Sequence, residues 1–265
     1  MKIELMKFNI ESRKKLIVCL VVAVMACHVM AQTSTTEVLL ETTAGNIRIA
    51  LFDETPQHRD NFLKLVKEHV YDSLLFHRVI KNFMVQCGDL HSKNAQPGQR
   101  LGTGDYNYTV EAEFRVPKLY HRRGMVAMAR EGDRTNPERR SSACQFYIVW
   151  GQVCSDARLA KVQERLDAAT QGQVKLTPEM IEAYKTVGGT PHLDGQYTVF
   201  GEVVEGLDVV DRIQQMAVDD YDRPLEDVRV LRATVTKDLS TTQLSPTTNA
   251  KQQASIKAAG KVGKK

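Results

Sequence analysis

The run Leu74–Asp89 (LLFHRVIKNFMVQCGD) limits what this chain can become more than any other stretch. It is too apolar and too β-branched for a surface helix. Lys81-Asn82 interrupts it near the middle, so it reads as two strands meeting at a turn. Further strand-like segments are spread along the chain. Glu37–Leu40 and Asn46–Phe52 form a pair, with Ile47, Ile49 and Leu51 alternating in the second and Ala44-Gly45-Asn46 as the turn between them. Gly124–Ala129, Cys144–Trp150, Thr198–Val204 and Val228–Thr236 are four more, and Gly98–Tyr106 is a glycine-rich loop. A helix is expected after Thr55, with Pro56 at its first position and Phe62, Leu63, Val66 and Val70 on its apolar face. Leu207–Met216 is a second helix, with Leu207, Val210 and Ile213 on one side. Many short strands, long connections and few helices argue for a β-barrel or sandwich rather than a parallel α/β sheet.

One segment breaks this pattern. Ser155–Gln171 is charged and amphipathic, with Leu159, Val162 and Leu166 spaced for one helical face. Thr177-Pro178-Glu179 then reads as a cap and first turn, running to Gly188-Gly189. Strand signals resume unchanged on both sides, so residues 152–190 are predicted to be a helical insertion in a mainly β domain.

The two ends differ from the body. Lys2, Lys7, Arg13, Lys14 and Lys15 precede the apolar run Leu16–Cys27, and Val29-Met30-Ala31 places small residues before Gln32. This is the pattern of a secretory signal peptide over residues 1–31. The apolar run is shorter than the roughly 18 residues needed to span a bilayer. Val24-Met25-Ala26-Cys27 loosely resembles a lipoprotein processing site, which makes acylation at Cys27 the alternative. The expectation is an exported, periplasmic protein that meets the membrane only through the signal or such an anchor. Residues 238–265 hold almost no large apolar side chain and read as a disordered, Lys-rich tail. The whole chain carries +4, of which the signal region contributes +3 and the tail +4, leaving −3 for the body. The basic balance therefore comes from the ends, and nothing in the body suggests a nucleic-acid surface. Cleavage after Ala31 leaves Cys87, Cys144 and Cys154, an odd number that allows at most one bridge.

Phe76-His77-Arg78-Val79-Ile80 followed by Phe83-Met84-Val85-Gln86-Cys87-Gly88-Asp89 resembles the signature of the cyclophilin family. Gly124–Ala129, Gln145-Phe146-Tyr147-Ile148, Leu193-Asp194-Gly195 and Val199-Phe200-Gly201 follow in that family's order. The resemblance covers residues 37–237. It implies an eight-stranded antiparallel barrel capped by two helices, to which the helical insertion is added. It also implies peptidyl-prolyl cis–trans isomerase activity on proline-containing segments of unfolded or folding proteins, by a monomer that needs no cofactor.

Rotation about an X–Pro bond is slowed by amide resonance, and a catalyst must favour the twisted amide over both planar forms. A fixed cationic donor near the prolyl nitrogen does this, and Arg stays charged and forks to two acceptors. By resemblance Arg78 takes that role, with Gln86 binding the substrate backbone and holding Arg78. Phe83, Met84, Tyr147 and Leu193 match the apolar cup for the proline ring, Tyr147 standing where Phe is more usual. Gln145 matches a neighbouring polar group, and Ala129 and Arg130 match the chain that pairs with the peptide backbone as an added strand. Arg130 replaces a common Asn, His192 a common Trp and Tyr197 a common His. The His192 change predicts weak cyclosporin binding. The reaction transfers no proton, so His77 is expected to pack or hydrogen-bond rather than act as an acid or base. No metal site is expected, since the His residues are scattered and Cys87 with His91 forms only one i, i+4 pair. Gly98–Gly104 lacks the Lys of a phosphate-binding loop. The alternative reading is a periplasmic chaperone or proline-peptide binding module with little turnover, motivated by the insertion and by His192.

Overall fold

The computed structural model describes residues 36–238; the expected signal peptide and all of the expected tail beyond Asp238 lie outside them. The body is mainly β, as expected. β1 (Thr36–Thr42) and β2 (Gly45–Leu51) pair residue for residue from Thr36 opposite Leu51 to Thr42 opposite Gly45. β3 (Arg78–Ile80) and β4 (Met84–Cys87) form the hairpin read from Leu74–Asp89, turning at Asn82 with φ of 60°. β5 (Thr109–Val110) and β7 (Ser141–Ser142) make a separate two-stranded pair that the sequence reading did not anticipate. β6 (Met125–Met128), β8 (Phe146–Val149), β9 (Val199–Glu205) and β10 (Val230–Lys237) complete an eight-stranded antiparallel sheet in the order β10-β1-β2-β9-β6-β8-β4-β3.

The sheet curls until its two edges meet. The segment before β3 bonds to the start of β10 and the residues just before it, through Phe76 N–H to the Val228 carbonyl at 2.9 Å and Val230 N–H to the Leu74 carbonyl at 2.8 Å. That seam uses edge groups that would otherwise be open to another chain.

Alternation along the strands divides the side chains into two sets. Val38, Leu40, Ile47, Ile49, Val79, Val85, Val126, Phe146, Ile148 and Phe200 join the interior cluster. α1 (Pro56–Lys67) and α4 (Leu207–Gln214) add Phe62, Leu63, Leu65 and Val66 from one and Val209, Val210 and Ile213 from the other. Phe62 is the hub, with ring centroids 4.9 Å from Tyr71 and 5.3 Å from both Phe146 and Phe200. The N-cap Thr55 makes no side-chain capping bond. The Glu113 carboxylate serves instead, accepting from the N–H groups of Gln57 at 3.3 Å and His58 at 3.0 Å. It thereby satisfies orphan donors at the positive end of the helix.

Helices form where the charged segment predicted them. α2 (Asp156–Thr170) starts at Ser155, whose hydroxyl accepts from the Arg158 N–H, and ends at Gln171 in the left-handed region. α3 (Pro178–Thr186) starts at Thr177 in the same way. They build small cores of their own. Leu159, Met180 and Tyr184 pack with Cys154 and Tyr120, while Val162 and Leu166 pack with Val174. The cysteines Cys87, Cys144 and Cys154 are buried free thiols with no bridge among them. Burial pushes the Cys87 thiol up to about 12, so it stays protonated and behaves as a small hydrophobe.

His77 is buried, and neither of its ring nitrogens has a hydrogen-bond partner among the described residues. It packs, which is one of the two roles expected for it. Burial pushes its pKa down to about 4 from an ordinary value near 6.5. The unfolded chain therefore binds this proton between those two pH values while the native state does not. Stability is full above about pH 6.5 and falls as pH drops toward 4, by roughly 3 kcal/mol for this one group. Burial also lowers His58 and His192, which add in the same direction. Denaturant melts at pH 7 and pH 4.5 should show this loss, and His77→Gln should reduce it clearly. An equal loss in the variant would remove His77 as its source.

Candidate active site

The other set of side chains faces outward. In β3, β4, β8 and β6 the residues Arg78, Gln86, Tyr147 and Ala127 stand directly opposite one another, strand by strand. Adjacent strands are about 4.8 Å apart, so this row sets Arg78 and Tyr147 about 10 Å apart at the backbone, with Gln86 between them. The next row along places Ile80, Met84 and Val149 together. The expected site is thus one face of one sheet, and a one-residue slip in any strand would turn its contribution into the interior.

Nine of the eleven expected residues line a single cleft of about 150 Å³: Arg78, Phe83, Met84, Gln86, Ala129, Arg130, Tyr147, Leu193 and Tyr197. Phe83 follows the hairpin turn, where its carbonyl accepts from the N–H groups of Trp150 at 2.9 Å and Gly151 at 3.0 Å. Leu193 closes a 3-10 turn, Pro191–Leu193. Tyr197 meets Tyr147 edge to face, with centroids 6.0 Å apart. The remaining two residues stand behind the walls. His192 stacks on Phe83 at 5.8 Å and supports that ring. Gln145 is buried, donates to the carbonyls of Gly102 and Gly104, and accepts from Gln86 Nε2 at 3.0 Å.

Three details differ from the expectation. The first concerns what holds Arg78. Gln86 sits opposite Arg78 in register but turns its amide to Gln145, and the Arg78 Nε donates to Asp222 Oδ2 at 3.3 Å. Asp222 lies in the loop after α4, is itself held in the left-handed region, and passes its carbonyl to the Val79 N–H at 2.7 Å. No sequence signal pointed to it, because 144 positions separate the two partners. The ion pair is solvent-facing, at 44% and 42% exposure, and contributes under about 1 kcal/mol. The pair is placed to orient the guanidinium. Asp222→Ala is expected to lower kcat/KM about fivefold by loosening the guanidinium, and Asp222→Asn to stay within about twofold. Steady-state rates on a proline peptide check this; equal rates for both variants would exclude orientation by Asp222.

The second concerns Ala129. Its N–H donates to the Gln145 carbonyl at 2.8 Å and its carbonyl accepts from Ser142 N–H at 2.9 Å, so its main chain is already used. The N–H and C=O of Arg130 make no hydrogen bond among the described residues and are the pair left for an added strand.

The third concerns the Arg130 side chain, which is almost wholly buried. Its Nε donates to the Gln196 carbonyl at 2.7 Å, and its Nη1 lies 2.7 Å from Asp133. The guanidinium sits 4.5 Å above the Tyr197 ring. It braces the Tyr197 wall and is not a free cation.

Tyr147 is buried, and burial holds its phenol well above its ordinary pKa. Its hydroxyl lies 3.0 Å from His121 Nε2. The polar partner that a Tyr needs in place of Phe is therefore provided by the protein.

A family model described as cyclophilin type peptidyl-prolyl cis-trans isomerase/CLD matches residues 37–235. Peptidyl-prolyl cis-trans isomerase CYP18-1 of Arabidopsis thaliana is 31% identical over 199 residues, covering 75% of this chain and 94% of the relative. Peptidyl-prolyl cis-trans isomerase-like 3 of Gallus gallus is 32% identical over 200 residues, with the same coverage. The chain spans only 37% of a Streptococcus pyogenes protein described as a bifunctional phosphatase/peptidyl-prolyl cis-trans isomerase, at 35% identity over 195 residues. In fold it is similar to a cyclophilin type isomerase of Cryptosporidium parvum, with a TM-score of 0.53, 21% identity and coverage of 77% of this chain and 99% of that one. With nine of the expected site residues around one cleft and the family model spanning residues 37–235, the chain belongs to the cyclophilin-type peptidyl-prolyl cis–trans isomerases.

Proposed function

We propose that this protein isomerises X–Pro bonds in exported proteins and so assists their folding, with Arg78 as the catalytic residue. One observation carries the proposal. The Arg78 guanidinium lines the same cleft as the apolar walls Phe83, Met84, Tyr147 and Leu193, and its Nε is tied back to Asp222. Its two Nη groups have no partner among the described residues, so they are the donors available to a substrate.

Amide resonance sets a barrier of about 18–20 kcal/mol to rotation. As the bond twists, the prolyl nitrogen becomes pyramidal and gains a lone pair. Arg78 donates to that nitrogen more strongly in the twisted form than in either planar isomer, which is the differential binding that catalysis requires. The cup holds the ring and excludes water, which strengthens the charge interaction. The free N–H and C=O of Arg130 pair with an extended substrate backbone. A proline peptide as ligand is supported by a cyclophilin of similar fold whose structure was solved in the presence of the dipeptide ala-pro. Export is supported by the composition of residues 1–31.

A protease-coupled assay on an Ala-Pro tetrapeptide tests the reaction, with Arg78→Ala as the comparison; equally slow rates for both proteins would reject it. Mass spectrometry after expression in a secreting host tests export. The expected mature N-terminus is Gln32, and an intact Met1 or an acylated Cys27 would overturn that reading of the leader.

A further inference from the structure

The floor of the proline cup is joined to the helical segment by an unbroken chain of buried hydrogen bonds. Tyr184, on α3, donates its hydroxyl to Asp194 Oδ2 at 2.7 Å. The other carboxylate oxygen of Asp194 accepts twice from His121, from its main-chain N–H at 2.8 Å and from Nδ1 at 2.9 Å. His121 Nε2 lies 3.0 Å from the Tyr147 hydroxyl. All four residues are buried, and Asp194 is wholly so.

The chemistry of the set fixes its direction. A carboxylate can only accept, so His121 carries a proton on Nδ1, and in the neutral ring Nε2 is then an acceptor. To that neutral ring the Tyr147 hydroxyl donates at Nε2. Every polar atom has a partner, and the buried charge of Asp194 meets three donors. The rings agree with this arrangement, since His121 and Tyr147 stack at 6.1 Å with an interplanar angle of 14°. The position of the Tyr147 ring is thus set at both ends, by packing in the cup and by a bond that runs back through Asp194 to α3.

We infer that Tyr184, Asp194 and His121 are positioning residues for the cup, and that the α2–α3 segment tunes isomerisation by fixing the place of Tyr147. This rests on the isomerase reading above and adds a role for a segment that contributes no residue to the cleft. Removing the bond at either end should have the same consequence, because the chain works only when complete. Tyr184→Phe and Tyr147→Phe each delete one oxygen and keep the ring.

The test is a double-mutant cycle with the Ala-Pro peptide, run beside wild type and Arg78→Ala. Tyr184→Phe is expected to lower kcat/KM about fivefold, and to have no further effect in the Tyr147→Phe background. Melting temperatures are recorded on the same samples. If Tyr184→Phe lowers only the melting temperature, or if the two losses multiply, the inference fails. A long-range ¹H–¹⁵N spectrum of the wild type gives a second reading that needs no variant. It should show His121 as the Nδ1–H tautomer, and the Nε2–H tautomer would overturn the direction argued here. An inactive wild type would reject the isomerase reading instead, so the two failures are distinguishable.

Discussion

Arg78→Ala is expected to lower kcat/KM on an Ala-Pro peptide by about 10²- to 10³-fold, the loss that follows removal of one preorganised donor to a developing charge. It should leave the fold intact. Arg78 is close to half exposed at the sheet's edge strand, and its one ion pair contributes little to stability. The loss should fall mainly on kcat, since the apolar walls that hold the ring remain. Arg78→Lys sharpens the point. It keeps the charge but loses the fork that lets Nε rest on Asp222 while the Nη groups keep their donors for a substrate. A loss of about tenfold is expected for Lys. A Lys variant with wild-type rates would mean that charge alone suffices and that the geometry at Asp222 is irrelevant.

The largest stability effect is expected at Phe62. Its ring meets Tyr71, Phe146 and Phe200 within 5.3 Å and ties α1 to β8 and β9. Phe62→Ala should cost about 3–5 kcal/mol, through lost burial and an interior cavity that the curled sheet cannot collapse to fill. In a domain of this size that corresponds to a drop in melting temperature on the order of 10 °C. Phe146 stands beside Tyr147 in β8 and faces the opposite way. Loosening the interior at Phe62 should therefore also broaden the cup, and kcat/KM should fall modestly in the variant even where it is fully folded. Calorimetry and initial rates on the same samples check both parts. A shift in melting temperature under about 3 °C would contradict the place given to Phe62 as hub.

Much of this was legible before any fold was known. The alternation in β2 of Ile47, Ile49 and Leu51 with Arg48 and Ala50 marks a strand with one face inward. Pro56 marks a helix start, and Thr177 caps the helix it was expected to cap. The block from Phe76 to Asp89 and the blocks after it name the residues that gather on one sheet face. These signals are local, and each rests on residues within a few positions of one another.

What stayed hidden is the wiring between distant segments. The seam of Leu74 and Phe76 with Val228 and Val230 closes the sheet, yet neither stretch announces the other. Gln86 bonds to Gln145, Arg78 to Asp222 and Tyr147 to His121, over separations that no periodicity spans. A side-chain hydrogen bond is decided by an ångström of approach and a few tens of degrees of angle, and the packing of the whole sheet sets both. Residue pattern alone determined which faces are apolar and where the helices begin, and the resemblance to the cyclophilin family pointed to the side chains of the cup. Only the folded arrangement decided what aims the guanidinium and what anchors the floor, because those contacts exist only once strands and loops far apart in the chain are held together.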